Sequence, residues 1–150
     1  MSASEFREFK RDGYTISTDP GRLDLDVIHS FLVESYWARG RCRERVARSI
    51  ENSIPFGLYH GSEQVGFARV VTDYVVIAFL ADVFVLEPHR GKGLGRWLVE
   101  TVVGMPELCR VRRWVLGTRD AHELYRRFGF GEPQGNVLLE RVDLDSDREK

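Results

Sequence analysis

The sequence predicts a mixed α/β domain in which a mainly antiparallel sheet carries helices on its faces. Short β-prone runs alternate with turn residues, and four other segments carry apolar residues at helical spacing. A chain of 150 residues is long enough for one hydrophobic core and short for two. We therefore expect residues 1–150 to form a single domain, ordered over about residues 12–142.

The N-terminal third is predicted to contain one strand and two helices. Polar residues 1–11 are expected to be poorly ordered. Residues 14–17 form a short strand, which ends at the turn sequence Asp19-Pro20-Gly21. Apolar residues at helical spacing then mark two helices, the first with Asp24 as its N-cap. These are Leu25, Ile28, Phe31 and Leu32 in the first, and Cys42, Val46 and Ile50 in the second.

The middle of the chain is predicted to be three consecutive strands. Residues 55–59 and 64–71 are β-prone runs on either side of a polar turn, which is the pattern of a hairpin. A second turn at Asp73-Tyr74 precedes a strand over residues 75–85. Short turns of this kind join antiparallel neighbours.

The C-terminal half alternates helices and strands. We predict a helix over residues 93–103, a strand over 112–116 and a helix over 121–128 that Gly129 closes. A last strand is expected over residues 137–142, before a charged, solvated tail. The predicted order is therefore β-α-α-β-β-β-α-β-α-β.

Composition narrows the functional classes. A net charge of −1 gives no indication of a nucleic-acid or anionic-membrane partner. The longest apolar run, residues 75–81, is far shorter than the roughly 20 residues of a membrane-spanning helix, and residues 1–6 lack the pattern of a secretion signal. Cys42 and Cys109 stand apart without metal-ligand spacing. We expect a cytoplasmic protein with free thiols and no metal.

The segment Arg90-Gly91-Lys92-Gly93-Leu94-Gly95 is the strongest functional signal. It lies between a β-prone run and a helix, and its glycines allow a tight turn that approaches a ligand closely. Unpaired N–H groups at a helix start attract anions. Arg90, Lys92 and Arg96 add positive charge, so a pyrophosphate is the expected ligand.

Two common phosphate loops do not fit this segment. A Walker A loop requires Gly at position 86 and Ser or Thr after Lys92, and the chain has Leu86 and Gly93 there. A dinucleotide fingerprint requires a third glycine at position 96 or 98, where Arg96 and Leu98 stand. An ordinary glycine-rich turn with solvated basic residues remains the simplest alternative.

The pattern Arg-x-x-Gly-x-Gly, at Arg90, Gly93 and Gly95, resembles the acyl-CoA pyrophosphate loop of the GNAT family of N-acetyltransferases. A second segment, Ala-His-Glu-Leu-Tyr-Arg-Arg-Phe-Gly-Phe over residues 121–130, is similar to the family's later Ala-x-x-Leu-Tyr-x-x-x-Gly-Phe motif. Both motifs stand in the family's order, and the resemblance covers about residues 54–130. It implies the GNAT fold and acetyl-CoA as cosubstrate.

The resemblance also implies which residues hold the cofactor. Backbone groups of the glycine loop would bind the pyrophosphate, and the free edge of the preceding strand would pair with the pantetheine amides. The implied positions are Val83, Phe84, Val85, Arg90, Gly91, Lys92, Gly93, Leu94, Gly95, Arg96 and Thr118. Thr118 departs from the family, which often has Asn there, although its hydroxyl can still form a hydrogen bond.

The catalytic groups implied by the resemblance are an acid and a base. Tyr125 stands at the family's tyrosine and would protonate the departing thiolate, with packing in the core as the alternative. The family often has Glu beside Asp before the loop, and here the pair reads Ala81-Asp82. Asp82 within an apolar strand is either catalytic, substrate-binding or structurally hydrogen-bonded. Asp120 and His122 are alternative bases.

The acceptor is encoded weakly. By resemblance, the walls of its pocket would be supplied by Tyr36, Trp37, Arg39 and the Asp73-Tyr74 turn. Tyr36 and Trp37 could instead pack in the core or a lid. A small amine is the expected acceptor, with a protein N-terminus or lysine as the alternative.

Neither cysteine lies in a nucleophile motif, so direct transfer is expected. A non-catalytic acyl-CoA sensor and a nucleotide-binding protein are the rival interpretations, and a homodimer stays open.

Overall fold

The computed structural model of the protein describes residues 6–146. Its six strands are β1 (Glu8–Arg11), β2 (Tyr14–Ser17), β3 (Ile54–His60), β4 (Glu63–Thr72), β5 (Ile77–Val85) and β6 (Arg113–Val115). Its four α-helices are α1 (Leu25–Glu34), α2 (Arg43–Glu51), α3 (Leu94–Val103) and α4 (His122–Arg126). Within this part of the chain, no helix is long and apolar enough to cross a membrane.

The strands form one sheet in the order β1-β2-β3-β4-β5-β6. The first five strands are antiparallel neighbours, and β6 pairs with β5 in parallel. Short turns join β1 to β2, β3 to β4 and β4 to β5, whereas α1 and α2 lie in the longer connection between β2 and β3. The parallel pair requires a crossover, which α3 provides. The predicted class, a mixed α/β domain with a mainly antiparallel sheet, is confirmed.

The expectation of a poorly ordered N-terminus was wrong for residues 8–11. These residues form the edge strand β1, in which Phe9 pairs with Ile16 and packs against the core. The turn between β1 and β2 is Asp12-Gly13, and both residues have positive φ. An Asp-Gly pair between two β-prone runs indicates a hairpin, and charged residues are usual on an edge strand.

The predicted last strand over residues 137–142 is also absent. A 3-10 turn at Gln134–Asn136 follows Pro133, and Val137 and Leu139 are largely exposed. Residues 137–139 are three consecutive apolar residues, so no alternation specifies which face a strand here would bury. The outer edge of β6 is therefore unpaired within the described residues.

Two apolar clusters hold the helices to opposite faces of the sheet. One joins α3 to strands β2–β5 through buried side chains that include Leu98, Val102, Phe56, Val70 and Leu80. The other joins α1 and α2 to β4 and β5 through Ile28, Leu32, Val46, Phe67 and Phe84. The alternation of strand residues decides which face each side chain reaches, so β4 and β5 contribute to both clusters.

Strand β5 carries an irregularity that shapes the region beyond it. Phe67 pairs with Phe84 and Arg69 pairs with Ala81, so Ala68 faces two residues, Asp82 and Val83. Asp82 is the extra residue of this β-bulge and has φ +54°. A bulge bends its strand and increases the local twist. The pairing of β5 with β6 ends before it, at Phe79 and Val115.

A close backbone approach fixes β4 against the end of β5. A Cβ atom on Gly66 would lie 2.8 Å from the carbonyl oxygen of Phe84 and 2.9 Å from Cδ2 of Leu58. Because one of these contacts is with backbone, a side chain at this position would push the two strands apart. Glycine is therefore required where β4 supports the last residues of β5.

We predict that Gly66→Ala lowers the free energy of unfolding by about 1–3 kcal/mol, since the added methyl group overpacks a fixed site. Gly117→Ala is the matched control, because a Cβ atom there meets nothing within 4 Å. Denaturant unfolding of both variants measures the difference. Equal stability of Gly66→Ala and the wild type would show that β4 and β5 are not this tightly apposed.

Candidate active site

A cleft of about 720 Å³ lies where β5 and β6 separate. Its walls come from three places: the end of α1 and the loop after it, the end of β5 with the glycine loop, and the segment from Arg119 to Tyr125. The bulge and the early end of the β5–β6 pairing bring these segments together around one opening. The cleft is thus a direct consequence of the sheet geometry.

The glycine loop is organised to present backbone N–H groups. Gly91 and Gly93 have φ of +81° and +76°, and Gly93 is the N-cap of α3. No side chain caps this helix start, so its first N–H groups have no side-chain acceptor. The Arg90 Nε–H donates to the carbonyl oxygen of Val85 at 2.8 Å, which ties the loop to the end of β5. The arrangement is suited to an anion.

Tyr125 lies at the inner part of the cleft. It is buried, with 8% of its surface exposed, and its ring packs edge-on against Phe130. Burial, with smaller contributions from Tyr36 and Asp120, raises the pKa of Tyr125 to about 12. The phenol is therefore protonated at neutral pH and is available as a hydrogen-bond donor.

Aromatic side chains form the wall contributed by α1 and its following loop. Tyr36 and Trp37 meet edge to face at 5.1 Å between ring centroids, and Phe31 stacks on Phe84 at 4.0 Å. Tyr36 also reaches the opposite wall, because its hydroxyl accepts from the backbone N–H of Arg119 at 3.0 Å. The Arg119 guanidinium lies 3.9 Å from the centroid of the Tyr36 ring. This pair bridges the opening.

Asp82 is buried beneath that wall rather than in it. Its carboxylate accepts from Nε1–H of Trp37 at 2.9 Å and from Nε–H of Arg69 at 2.6 Å. Arg41 donates to both of its oxygens at 3.4 Å. The side chain is 2% exposed and does not line the cleft. Of the roles that the sequence leaves open, these contacts favour the structural one.

Most of the residues implied by the resemblance meet at the cleft. Those that line it are Tyr36, Trp37, Val83, Phe84, Val85, Arg90, Gly91, Gly93, Leu94, Gly95 and Tyr125. Residues that are distant in sequence therefore share one surface. Four others, Asp82, Lys92, Arg96 and Thr118, are not among the lining residues.

Local contacts explain why two of these four point elsewhere. The Lys92 ammonium donates to the Tyr14 hydroxyl at 3.3 Å and lies 5.8 Å from the centroid of its ring. The Thr118 hydroxyl accepts from the backbone N–H of Ala121 at 3.1 Å, before the start of α4. The Asp73 carboxylate likewise accepts from three backbone N–H groups of its own turn, which lower its pKa.

Several lining residues were not predicted as site residues. Glu34, Ser35, His89 and Arg119 lie in the cleft wall, as does Phe31, which periodicity had assigned only to a helix core. His89 and Arg119 adjoin the two motifs, so proximity in sequence could have indicated them. Glu34 gives no signal, because a charged residue at a helix end is usually solvated. Asp120, an alternative base, lines the cleft, whereas His122 does not.

A second cavity of about 630 Å³ lies along the unpaired edge of β6. It is lined by residues 112–118 and by the segment after α4, and it includes Thr118, His122 and one side of Tyr125. This space exists because residues 137–142 do not pair with β6. It contains none of the glycine loop, so we place the functional site in the first cleft. Within residues 6–146, no cluster of three or more His, Cys, Asp or Glu could hold a metal.

The comparisons with known proteins agree with this geometry. Residues 25–130 match the family profile described as the acetyltransferase (GNAT) family. The chain belongs to the GNAT family. A Gibberella zeae protein with a provisional acetyltransferase name is 33% identical, and the alignment covers 79% of each chain. This GNAT protein is therefore an acetyltransferase of the family that uses acetyl-CoA.

Solved structures extend the same relationship. A provisionally named GNAT acetyltransferase from Xanthomonas campestris pv. campestris is 40% identical, with a TM-score of 0.85 over 89% of this chain and 96% of that one. A GNAT acetyltransferase from Elizabethkingia anophelis, solved with acetyl-CoA bound, has a TM-score of 0.61 at 15% identity, over 79% of this chain and 76% of that one. The latter likeness is one of fold.

The raised pKa of Tyr125 predicts that this residue causes no alkaline loss of activity in the pH profile. A group that must be protonated, with a pKa of about 12, causes no loss of kcat/KM below about pH 10. The measurement is the loss of thioester absorbance during acetyl transfer as a function of pH. A falling limb at about pH 8 to 9 that disappears in Tyr125→Phe would contradict the raised pKa.

Proposed function

We propose that this protein transfers the acetyl group of acetyl-CoA to a primary amine of a small molecule, by direct attack in a ternary complex. The observation that carries the proposal is the meeting of the glycine loop, the end of β5 and the Tyr125 phenol around one cleft. Each has a distinct task in this reaction, and none requires a covalent acyl-enzyme.

Acetyl-CoA would be bound largely by backbone groups. The N–H groups of the glycine loop and the start of α3 suit the pyrophosphate, and Arg90 beside them adds positive charge. Among residues 6–146, β5 has no partner on its β6 side beyond Phe79, so its last residues can pair with the pantetheine amides. The acetyl-CoA bound to the Elizabethkingia anophelis enzyme, which shares this fold, supports this cofactor.

The chemical step exchanges a C–S bond for a C–N bond. The amine nitrogen attacks the thioester carbonyl carbon, and the carbonyl oxygen gains charge that a backbone N–H near Val85 would stabilise. The C–S electron pair then leaves with sulfur, and the nitrogen gives a second proton to solvent as the amide forms. The amine must first lose a proton, because a group with a pKa of about 10.4 is mostly protonated at neutral pH. Asp120 or a water molecule in the cleft would accept this proton.

Tyr125 would assist the departing sulfur mainly as a hydrogen-bond donor. A phenol with a pKa of about 12 lies well above a thiol of about 8.5, so full proton transfer to the thiolate is uphill. A hydrogen bond from the phenol stabilises the charge that develops on sulfur, and solvent can complete the protonation. Tyr125 would therefore contribute a modest part of the rate acceleration.

The acceptor would be a small amine with an aromatic or aliphatic body. Phe31, Tyr36 and Trp37 supply apolar surface on one wall, and Glu34 and Asp120 place carboxylates where an ammonium group would approach. The reaction is proposed to occur in the cytoplasm, with which the two free cysteines are compatible.

Gly93→Asp is predicted to weaken acetyl-CoA binding by at least about 100-fold, because it places a carboxylate beside the pyrophosphate. Isothermal titration of acetyl-CoA measures the change. Gly61→Asp is the matched control: it has the same new charge, a left-handed backbone with φ +61° and open space at its Cβ, and it lies in the β3–β4 turn outside the cleft.

Equal loss of binding in both variants would mean that the effect comes from strain or net charge and not from the loop. Absence of acetyl-CoA binding to the wild-type protein would remove the proposed cofactor site. ATP and NAD, titrated in the same way, test the rival nucleotide-binding interpretation.

Tyr125→Phe is predicted to lower kcat by about 10- to 100-fold and to leave the Kd for acetyl-CoA unchanged, since it removes one hydrogen bond made during the reaction. Free-thiol release with a panel of primary amines, including 2-phenylethylamine and lysine, measures turnover. Tyr59→Phe is the control, because burial also raises the pKa of Tyr59 to about 12 and this residue lies outside the cleft.

The same pair of variants separates an enzyme from a sensor. Suppose that the wild type and Tyr125→Phe both bind acetyl-CoA tightly, and that no amine causes the release of free CoA thiol from either. This result would favour the non-catalytic interpretation. Thiol release only with peptides would favour a protein N-terminus or lysine as the acceptor.

A further inference from the structure

Asp82 occupies a position that is energetically unfavourable for a carboxylate unless specific contacts stabilise it. It is the extra residue of the β5 bulge, its φ is +54°, and its side chain is 2% exposed. A left-handed backbone is unfavourable for most residues, although Asp and Asn tolerate it. Burial of a carboxylate is costly unless donors surround it.

The donors come from three separate segments of the chain. Trp37 and Arg41 belong to the loop between α1 and α2, while Arg69 belongs to β4. Arg69 is itself oriented by a hydrogen bond from its Nη1 to the Ser53 hydroxyl at 3.1 Å. Asp82 therefore joins the cleft-wall loop to the sheet through charge-assisted hydrogen bonds, which are stronger than neutral ones.

Trp37 is the member of this network that reaches the cleft. Its indole N–H points inward to Asp82, whereas 37% of its surface is exposed and its ring contacts Tyr36 in the wall. A tryptophan at a surface could adopt several rotamers, and the hydrogen bond at 2.9 Å selects one of them. The carboxylate thereby determines which face of the Trp37 ring is exposed in the cleft.

Two hydrogen bonds of Ser35 restrain the backbone of this loop. The Ser35 hydroxyl donates to the carbonyl oxygen of Leu32 at 2.7 Å and accepts from the backbone N–H of Ala38 at 3.1 Å. These bonds fix the backbone on either side of Trp37. They do not act on its side chain, which is held by the hydrogen bond to Asp82 and by ring contacts with Tyr36 and Phe31.

We propose that Asp82 is a positioning residue that acts on acetyl transfer through Trp37, by fixing the indole as the acceptor-facing wall of the cleft. The proposal rests on the proposed function, because it assigns the aromatic wall to the amine. It also gives Asp82 a role other than the base expected at this point in the strand. Its oxygens are taken up by Trp37, Arg41 and Arg69, and it does not line the cleft.

The kinetic test compares Asp82→Asn, Asp82→Ala and Trp37→Phe with the wild type. Asn tolerates the left-handed backbone and keeps an oxygen for the indole N–H, so kcat and the KM for 2-phenylethylamine should stay within about threefold in the folded protein. The free energy of unfolding should fall, because Arg41 and Arg69 lose a charged acceptor. Asp82→Ala and Trp37→Phe both remove the hydrogen bond, so each should raise the KM for the amine about tenfold. The KM for acetyl-CoA should not change in any of them.

A catalytic base would give a different pattern: Asp82→Asn would then lose most of its kcat with little change in the amine KM. A raised amine KM in Asp82→Ala that persists at full size in the Trp37→Phe background would also overturn the proposal, because the effect would not pass through the indole. If acetyl-CoA fails to bind the wild-type protein, the proposed function has failed instead.

A spectroscopic readout tests the positioning without an acceptor. Protein labelled with 5-fluorotryptophan should give three ¹⁹F resonances, one for each tryptophan, with that of Trp37 assigned by its loss in Trp37→Phe. We expect Asp82→Ala to shift or broaden the Trp37 resonance and to leave those of Trp97 and Trp114 in place. Asp82→Asn should preserve all three. An unchanged Trp37 resonance in Asp82→Ala would overturn the proposal.

If Asp82→Ala does not fold, the other two variants decide. An intact kcat in Asp82→Asn and a raised amine KM in Trp37→Phe support the proposal, and the opposite results overturn it.

Discussion

The separation of β5 from β6 is the constraint on which the functional region depends. Within residues 6–146, the two strands pair over Ile77–Phe79 and Arg113–Val115, after which β5 continues to Val85 with β4 as its partner on one edge and no strand on the other. An unpaired strand edge exposes backbone N–H and C=O groups, which is usually unfavourable for a protein. Here the exposed edge faces a cleft instead of bulk solvent, so a ligand with amide groups can complete the pairing.

The bulge at Asp82 supports this separation from the other side of β5. It increases the local bend of the strand, while β4 holds the last residues of β5 through the close approach at Gly66. The buried carboxylate ties the strand to the loop after α1, which carries the aromatic wall. Backbone geometry therefore supplies the proposed cofactor surface, and a few side chains define the surface opposite to it.

The division between backbone and side chain explains what the sequence could reveal. A glycine-rich turn before a helix has a recognisable spacing, so Gly91 and Gly93 could be identified from the order of residues alone. The β-prone runs and the turns between them likewise predicted β2–β5, and apolar residues at helical spacing predicted the helices. Tyr125 could be named because it stands in a motif of ten residues.

Other features depend on contacts between distant segments, which a single sequence does not show. The ion pairs of Asp82 join it to Arg41 and Arg69, and nothing near Asp82 in sequence indicates either arginine. Glu34 enters the cleft only because α1 ends there. The N-terminal strand was missed although Asp12-Gly13 signals its hairpin, and the strand over residues 137–142 was expected from composition without the alternation that a strand requires.

The most direct measurement of the account is a ¹⁵N–¹H NMR titration with acetyl-CoA, which reports the position of the ligand amide by amide. The account predicts shifts for the backbone N–H groups of Val83, Phe84 and Val85 and for residues 91–96, with little change in β1–β3. Shifts confined to residues 112–116 and 129–138 would place the ligand in the second cavity along β6 and contradict it.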